Sequence, residues 1–245
     1  MLLKEVGLQL YSLRDETKLD FCKTVEKVAQ MGYAGVEFAG YGGLTPKEMS
    51  KLLKDNGLKA YSAHIGGLPK TDAELDAEIE MLLETGAKYF VCPAGPMKTH
   101  DEALRFAEVM NQTYEKLKPH GLGMGYHNHG YEFVEDQGEL LIDTFFGACH
   151  PEIFAQFDVF WVAYAGYDPL AYVTKYAGRQ KLMHLKELAA DKKSNVEIGT
   201  GILDFPALIK KGQEIGVEHF IIEQEEYTLP PLESCKASLE GVLRL

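Results

Sequence analysis

The sequence predicts one α/β domain, a single (β/α)₈ TIM barrel over residues 1–245. Three observations predict it. Short β-rich runs alternate with amphipathic helical stretches from one end to the other, as in βα units built around a parallel sheet. About eight such units can be counted, and 245 residues is close to the roughly 250 typical of one such barrel. No Pro-, Gly- or Ser-rich linker or low-complexity tract breaks the alternation, so no domain boundary is placed. The competing open doubly wound sheet would carry a GxGxxG turn or a P-loop after an early strand, and neither occurs.

The first strand is read as GLQLYS, 7 to 12, followed by a helix over DFCKTVEKVAQM that puts Phe21, Val25, Val28 and Ala29 on one face before Gly32 stops it. GVEFAG, 35 to 40, is the second strand. The helix after it has Thr45 as N-cap, Pro46 in the first turn and Gly57 past its end. Strands three and four are LKAYSAHI, 58 to 65, and KYFVCPA, 88 to 94, separated by a helix over TDAELDAEIEMLLETG that ends at Gly86. A fourth helix spans 99 to 119. Strand five, LGMGYHNH from 122 to 129, leads into a polar loop and a helix near 138 to 147. FAQFDVF (154 to 160), KLMHLKEL (181 to 188) and HFIIEQ (219 to 224) complete the set.

Composition narrows the function classes. Hydrophobic residues at 46% and charged residues at 25% suit an ordinary soluble domain, and no apolar run approaches the roughly 20 residues a membrane span needs. MLLKEVGLQLYS runs into a strand pattern without a small-residue cleavage site, so a cytoplasmic location is expected. Cys22, Cys92, Cys149 and Cys235 are scattered without CxxC spacing and read as reduced thiols. A net charge of −12 argues against nucleic acid, because phosphate binding draws on Lys and Arg. A small-molecule partner is expected.

Active sites of such barrels are built at the C-terminal ends of the strands, and those ends are rich in metal-ligand residue types. They carry Glu37, His64, His127, Asn128, His129, Glu132, Asp158, His184, Lys186, Glu187, Glu223, Glu225 and Glu226. An unpaired carboxylate in an apolar strand such as FIIEQ costs several kcal/mol, roughly, so Glu223 calls for a cation. Asp158 after AQF and His184 between Met183 and Leu185 pose the same demand. Each has a plainer reading: Asp158 as a helix cap, His184 as a satisfied core histidine, Glu223 paired with Lys186. Together at one end of successive strands they point to one divalent metal, with Mn²⁺, Co²⁺, Zn²⁺ or Mg²⁺ suited to such a donor set. Strand alternation puts His127 and His129 on one side and Asn128 on the other.

The segments GLQLYSLRDE, GVEFAG, SAHIG, GYHNHGYEF, FDVFWVAYAGYDP, HLKE, VEIGTGILDFP and IIEQE, taken as a set, resemble the sugar phosphate isomerase/epimerase family of the xylose isomerase-like TIM-barrel superfamily, which also holds the apurinic endonucleases. The resemblance covers essentially the whole chain. It implies a metal held by a Glu, an Asp, a His and a second Glu, falling on Glu132, Asp158, His184 and Glu223, with His127 as the substitute for Glu132. Thr200 stands where relatives often carry Glu.

The implied chemistry is isomerisation or epimerisation of a keto-sugar or polyol-derived substrate, its carbonyl polarised by the metal and its enediolate stabilised there. The candidate bases are Glu132, Glu223, His64, His127 and His129. Lys186, Glu37, Arg14 and Trp161 are the candidate substrate contacts, with Tyr11 beside Trp161 as an apolar wall. A lyase or hydratase on a 3-keto sugar or glycoside is the alternative, because the HNH run offers histidines that shuttle protons to a leaving group. A non-catalytic sugar-binding barrel is a third reading, and a homo-oligomer is expected only by analogy.

Overall fold

The computed structural model describes residues 5–68 and 71–245, so the first four residues of the MLLKEVGLQLYS stretch lie outside the described residues. Eight parallel strands close into a barrel: β1 Val6–Gln9, β2 Gly35–Phe38, β3 Lys59–His64, β4 Tyr89–Cys92, β5 Gly123–His127, β6 Phe154–Asp158, β7 Gln180–Leu185 and β8 His219–Ile222. Each strand pairs with its neighbours in sequence, and β1 closes on β8 with Gly7 opposite Ile221.

Around the strands run α1 Arg14–Leu19, α2 Phe21–Met31, α3 Pro46–Asn56, α4 Asp72–Thr85, α5 His100–Leu117, α6 Leu141–Ala148, α7 Val159–Tyr164, α8 Pro169–Lys175, α9 Phe205–Glu214 and α10 Pro231–Leu243. Two short antiparallel ribbons, Glu135–Asp136 with Glu139–Leu140 and Glu187–Leu188 with Asn195–Val196, decorate the mouth.

The helix boundaries follow the local chemistry. Thr45 and Thr71 each form a capping box, with Glu48 and Glu74, and Gly57 and Gly86 take the left-handed conformation that ends α3 and α4. Strands are shorter than the sequence pattern suggests, and at two of them a polar side chain at the strand end turns the chain out of the ladder. The first strand stops at Gln9, whose side chain accepts from Tyr11 N and tips Leu10–Leu13 into a 3₁₀ turn. The sixth stops at Asp158, whose Oδ1 accepts from the amides of Phe160 and Trp161 and starts α7. The seventh ends at Leu185, with Glu187–Leu188 paired into a ribbon instead. Helix α6 starts at Leu141, later than 138, because Glu139–Leu140 pair with Glu135–Asp136.

The barrel interior has two layers. Tyr61, Tyr89, Val91, Phe154, Leu182 and Ile221 form an apolar cluster of their own, apart from the larger core between strands and helices. The Tyr61 ring is admitted only because Gly7 and Gly35 lack side chains: a Cβ would come within 2.8 Å and 2.6 Å of it. Toward the mouth the filling turns polar, with Gln9, Glu37, Ser62, Gln156 and His184 all fully buried. That change of chemistry places the site. All four cysteines are free thiols. No helix among the described residues is long and apolar enough to cross a membrane.

Candidate metal centre and active-site cavity

Strand ends β5 to β8 bring His127, Asp158, His184 and Glu223 together, with one donor atom of each within 4.8 Å of the others. All four are buried. His64, from the end of β3, groups with His127 and His184 in an overlapping set. Within the cluster, His127 Nδ1 and Asp158 Oδ2 are buried with no hydrogen-bond partner among the described residues. Leaving such groups unsatisfied costs about 1–3 kcal/mol each, more where charged. Asp158 divides its labour: Oδ1 caps α7, while Oδ2 is left facing the cluster, 3.9 Å from Lys186 Nζ.

Glu37 sits beneath this group. Its carboxylate accepts from Gln9, Ser62 and Gln156 and lies 2.6 Å from His184 Nε2 and 3.0 Å from His64 Nε2. With Nε2–H committed to Glu37, the Nδ1 of His184 faces Glu223 at 3.3 Å. A metal-ligating histidine characteristically donates its second ring N–H to a carboxylate in this way. Two imidazoles and two carboxylates, two orphaned atoms and a carboxylate behind a ligand histidine are a donor set that fits a divalent ion.

The electrostatics agree. Burial opposes protonation of His184, yet Glu37 and Glu223 lift its pKa to about 10. Burial raises Asp158 to about 7 despite Lys186 beside it. Burial also resists ionisation of Glu37, but His64 and His184 hold its carboxyl well below the usual range. The Lys186 ammonium is almost wholly buried, 3.6 Å from Glu223, bonded to Glu225 and lying over the Trp161 ring at 4.8 Å. Protons and an ammonium thus gather where the carboxylates are packed most densely, which is how an acidic cluster balances its charge.

Above the centre opens a cavity of about 470 Å³ lined by Tyr11, Ala39, Gly40, His64, Gly66, Pro93, Ala94, His127, His129, Glu223 and Glu225. His129 enters it from the loop after β5, its Nδ1 buried without a partner, its ring stacked on Tyr131 and tilted against Trp161. Burial pushes its pKa down to about 4. Asn128 turns the other way, its Oδ1 accepting from Asp158 N. The HNH run therefore splits as strand alternation requires.

Several expected site residues lie elsewhere. Glu132 is outside the cluster: its buried carboxylate accepts from the His129 amide at 2.9 Å and from Tyr126 OH at 2.7 Å, folding the loop back on itself. His127 takes the place in the cluster that the resemblance gave to Glu132. Glu37 is under the centre and not on the cavity wall. Arg14 is a rim strut, bound to Tyr227 OH and to the Glu225 carbonyl. Trp161 is not on the wall either, lying behind Lys186 and His129. Thr200 bonds to the carbonyl of Glu197 within its own turn.

Residues that sequence reasoning passed over are Gln9, Ser62 and Gln156, which hold Glu37, and Asn195, whose Oδ1 accepts from Glu225 N. An uncharged polar residue within an otherwise apolar strand is the only mark the first three carried.

A parallel eight-stranded barrel with its polar centre at the strand C-termini defines the class as TIM-barrel proteins. Residues 25–244 match the xylose isomerase-like TIM barrel family, and the chain belongs to it. It is similar to the rhizopine catabolism protein MocC of Rhizobium meliloti, 22% identical over 95% of this chain and 83% of that one. An inosose dehydratase of Clostridium beijerinckii is 25% identical over 82% of this chain and 81% of its own length. The solved structure of a sugar phosphate isomerase/epimerase from Parabacteroides distasonis, 24% identical, superposes with a TM-score of 0.86 over 98% of this chain and 93% of that one. The chain stands among enzymes.

Proposed function

We propose that the chain is a divalent-metal-dependent lyase that acts on an uncharged keto-sugar or keto-polyol by enolate chemistry and expels the substituent β to the carbonyl. His127, Asp158, His184 and Glu223 would hold the ion, with Glu37 orienting His184. The ion, when bound, supplies Lewis-acid polarisation of a substrate carbonyl.

The observation that carries the reading is a pair of proton-handling groups on the wall of one cavity. His129, from after β5, lines the cavity, and its buried Nδ1 has no hydrogen-bond partner among the described residues. Glu225, from after β8, faces it backed by the buried Lys186 ammonium. His129 takes the proton from the carbon next to the carbonyl, and His64 stands on the other side of His127 as a second base. The C–H electron pair becomes the new C=C bond. The substituent on the next carbon leaves with its own bonding pair and accepts a proton delivered from Lys186 through Glu225. No redox partner is required. The cavity wall carries no Lys or Arg among the described residues, which favours a neutral sugar over a phosphate ester.

The inosose dehydratase similarity supports the same direction. Isomerisation or epimerisation is the second reading, favoured by the two imidazoles flanking His127, which can take and return one proton. Incubating the Mn²⁺-loaded protein with an inosose or 3-keto-glucose in D₂O and following products by NMR separates the two. Loss of water with appearance of an enone is expected. Deuterium incorporation with an inverted centre and no elimination would replace the lyase by an epimerase.

A further inference from the structure

Beside the catalytic cavity lies a second one of about 420 Å³ with a different chemistry. Its wall is Pro96 and Met97 after β4, Tyr131 and Val134 after β5, and Leu141 at the start of α6, with Lys98 as the one charged lining residue among the described residues. The two cavities adjoin. Ala94 lines the first and Gly95 the second, and the His129 ring of the first stacks on the Tyr131 ring of the second at 5.7 Å and 16°.

Tyr131 is held rigidly in that position. Its hydroxyl meets the amide and carbonyl of Gly95 and the hydroxyl of Tyr126, so it ties the loop after β4 to the loop after β5. Val134 and Tyr131 nonetheless keep 52% and 41% of their surface exposed. An apolar, preformed, exposed hollow next to a polar reaction centre is what a ligand with one polar and one apolar part requires.

We propose that the second cavity seats an apolar, planar group carried by the substrate, so that the natural substrate is a keto-sugar bearing an aryl or similar aglycone and not a bare polyol. The proposal rests on the lyase reading, and the group seated there is the one that leaves. Departure follows the elimination above: the sugar carbon gives up its C–O bonding pair to the aglycone oxygen, which takes one proton and leaves as an alcohol or phenol.

Binding tests the seat without turnover. Phenyl β-D-glucopyranoside and methyl β-D-glucopyranoside are titrated calorimetrically into the Mn²⁺-loaded protein and its Val134→Arg variant, with the melting temperature of each recorded. Val134 is half exposed and makes no contact with the metal cluster, so the variant is expected to fold. Burying one ring face predicts roughly tenfold or tighter binding of the phenyl compound by the wild type. In Val134→Arg this preference should vanish while the methyl compound binds as before. Val134→Ala, which keeps the hollow open, should retain it and guards against a variant that misfolds. Equal binding of both glycosides by the wild type, or an undiminished phenyl preference in Val134→Arg, overturns the seat. The corresponding 3-keto glycosides are then assayed for aglycone release. No turnover on any keto-sugar with the phenyl preference intact overturns the lyase reading alone, whereas turnover without the preference overturns the seat alone.

Discussion

His184 Nε2 lies 2.6 Å from Glu37 Oε1, a contact between two fully buried side chains 147 residues apart in sequence. Glu37 thereby sets which ring nitrogen of His184 is left to face Asp158 and Glu223. Gln9, Ser62 and Gln156 in turn fix Glu37, so the orientation of the His184 ring is set by a network reaching across the barrel. The Glu37→Gln variant keeps the shape of this side chain and removes its charge. Divalent-metal affinity, measured by competition with a chromogenic chelator, should fall about 10- to 100-fold. Unchanged affinity would show that Glu37 does not orient the histidine.

His127 and Glu132 offer a direct comparison, because one chain segment carries both and only one reaches the cluster. His127→Gln should purify with little metal and lose activity. Glu132→Gln should keep close to the wild-type metal content, since its carboxylate is spent on the His129 amide and the Tyr126 hydroxyl. Elemental analysis of the two variants decides the matter. Metal loss in Glu132→Gln with retention in His127→Gln would reverse the ligand assignment.

Glu132 also gives stability a pH dependence. Burial pushes its carboxyl up to about 7 from an ordinary value near 4.5, against the hydrogen bonds from the His129 amide and Tyr126. The folded protein therefore keeps a proton that the unfolded chain releases. From about pH 4.5 to 7 the native state binds more protons, so this group's contribution to stability falls as pH rises and is fully lost above 7. The size is on the order of 3 kcal/mol. Urea unfolding of wild type and Glu132→Gln across that window should show a difference between them that changes with pH, whereas a constant difference removes the buried proton.

Alternation of helical and strand periods made the barrel legible, since each βα unit announces itself locally. That Asp158, His184 and Glu223 would gather at one place was legible for the same reason: a charged or titratable residue inside an apolar strand has to be compensated. Glu132 misled because sequence order cannot show that the chain reverses after His129 and turns that carboxylate back onto its own backbone. Glu37 was read as a substrate contact because a strand-end carboxylate looks alike whether it lines the cavity or lies beneath it. Gln9, Ser62 and Gln156 were invisible, because uncharged polar residues in a strand carry no demand until their partners from other strands are known.

Tyr61 joins the barrel's lower layer at a cost that two substitutions can separate. Its hydroxyl is buried without a hydrogen-bond partner among the described residues, so Tyr61→Phe removes an unsatisfied group and should leave stability unchanged or raise it by up to about 1 kcal/mol. Its ring, however, fills the space opposite Gly7, where an added Cβ would stand 2.8 Å from two ring carbons. Gly7→Ala should therefore cost about 1–3 kcal/mol through overpacking. Combining Gly7→Ala with Tyr61→Leu should recover part of that loss, because the new methyl then meets a smaller neighbour, and contacting residues are expected to couple in this way. Chemical unfolding of the single and double variants gives the coupling energy. Strict additivity would mean that the glycine is not there to admit the ring.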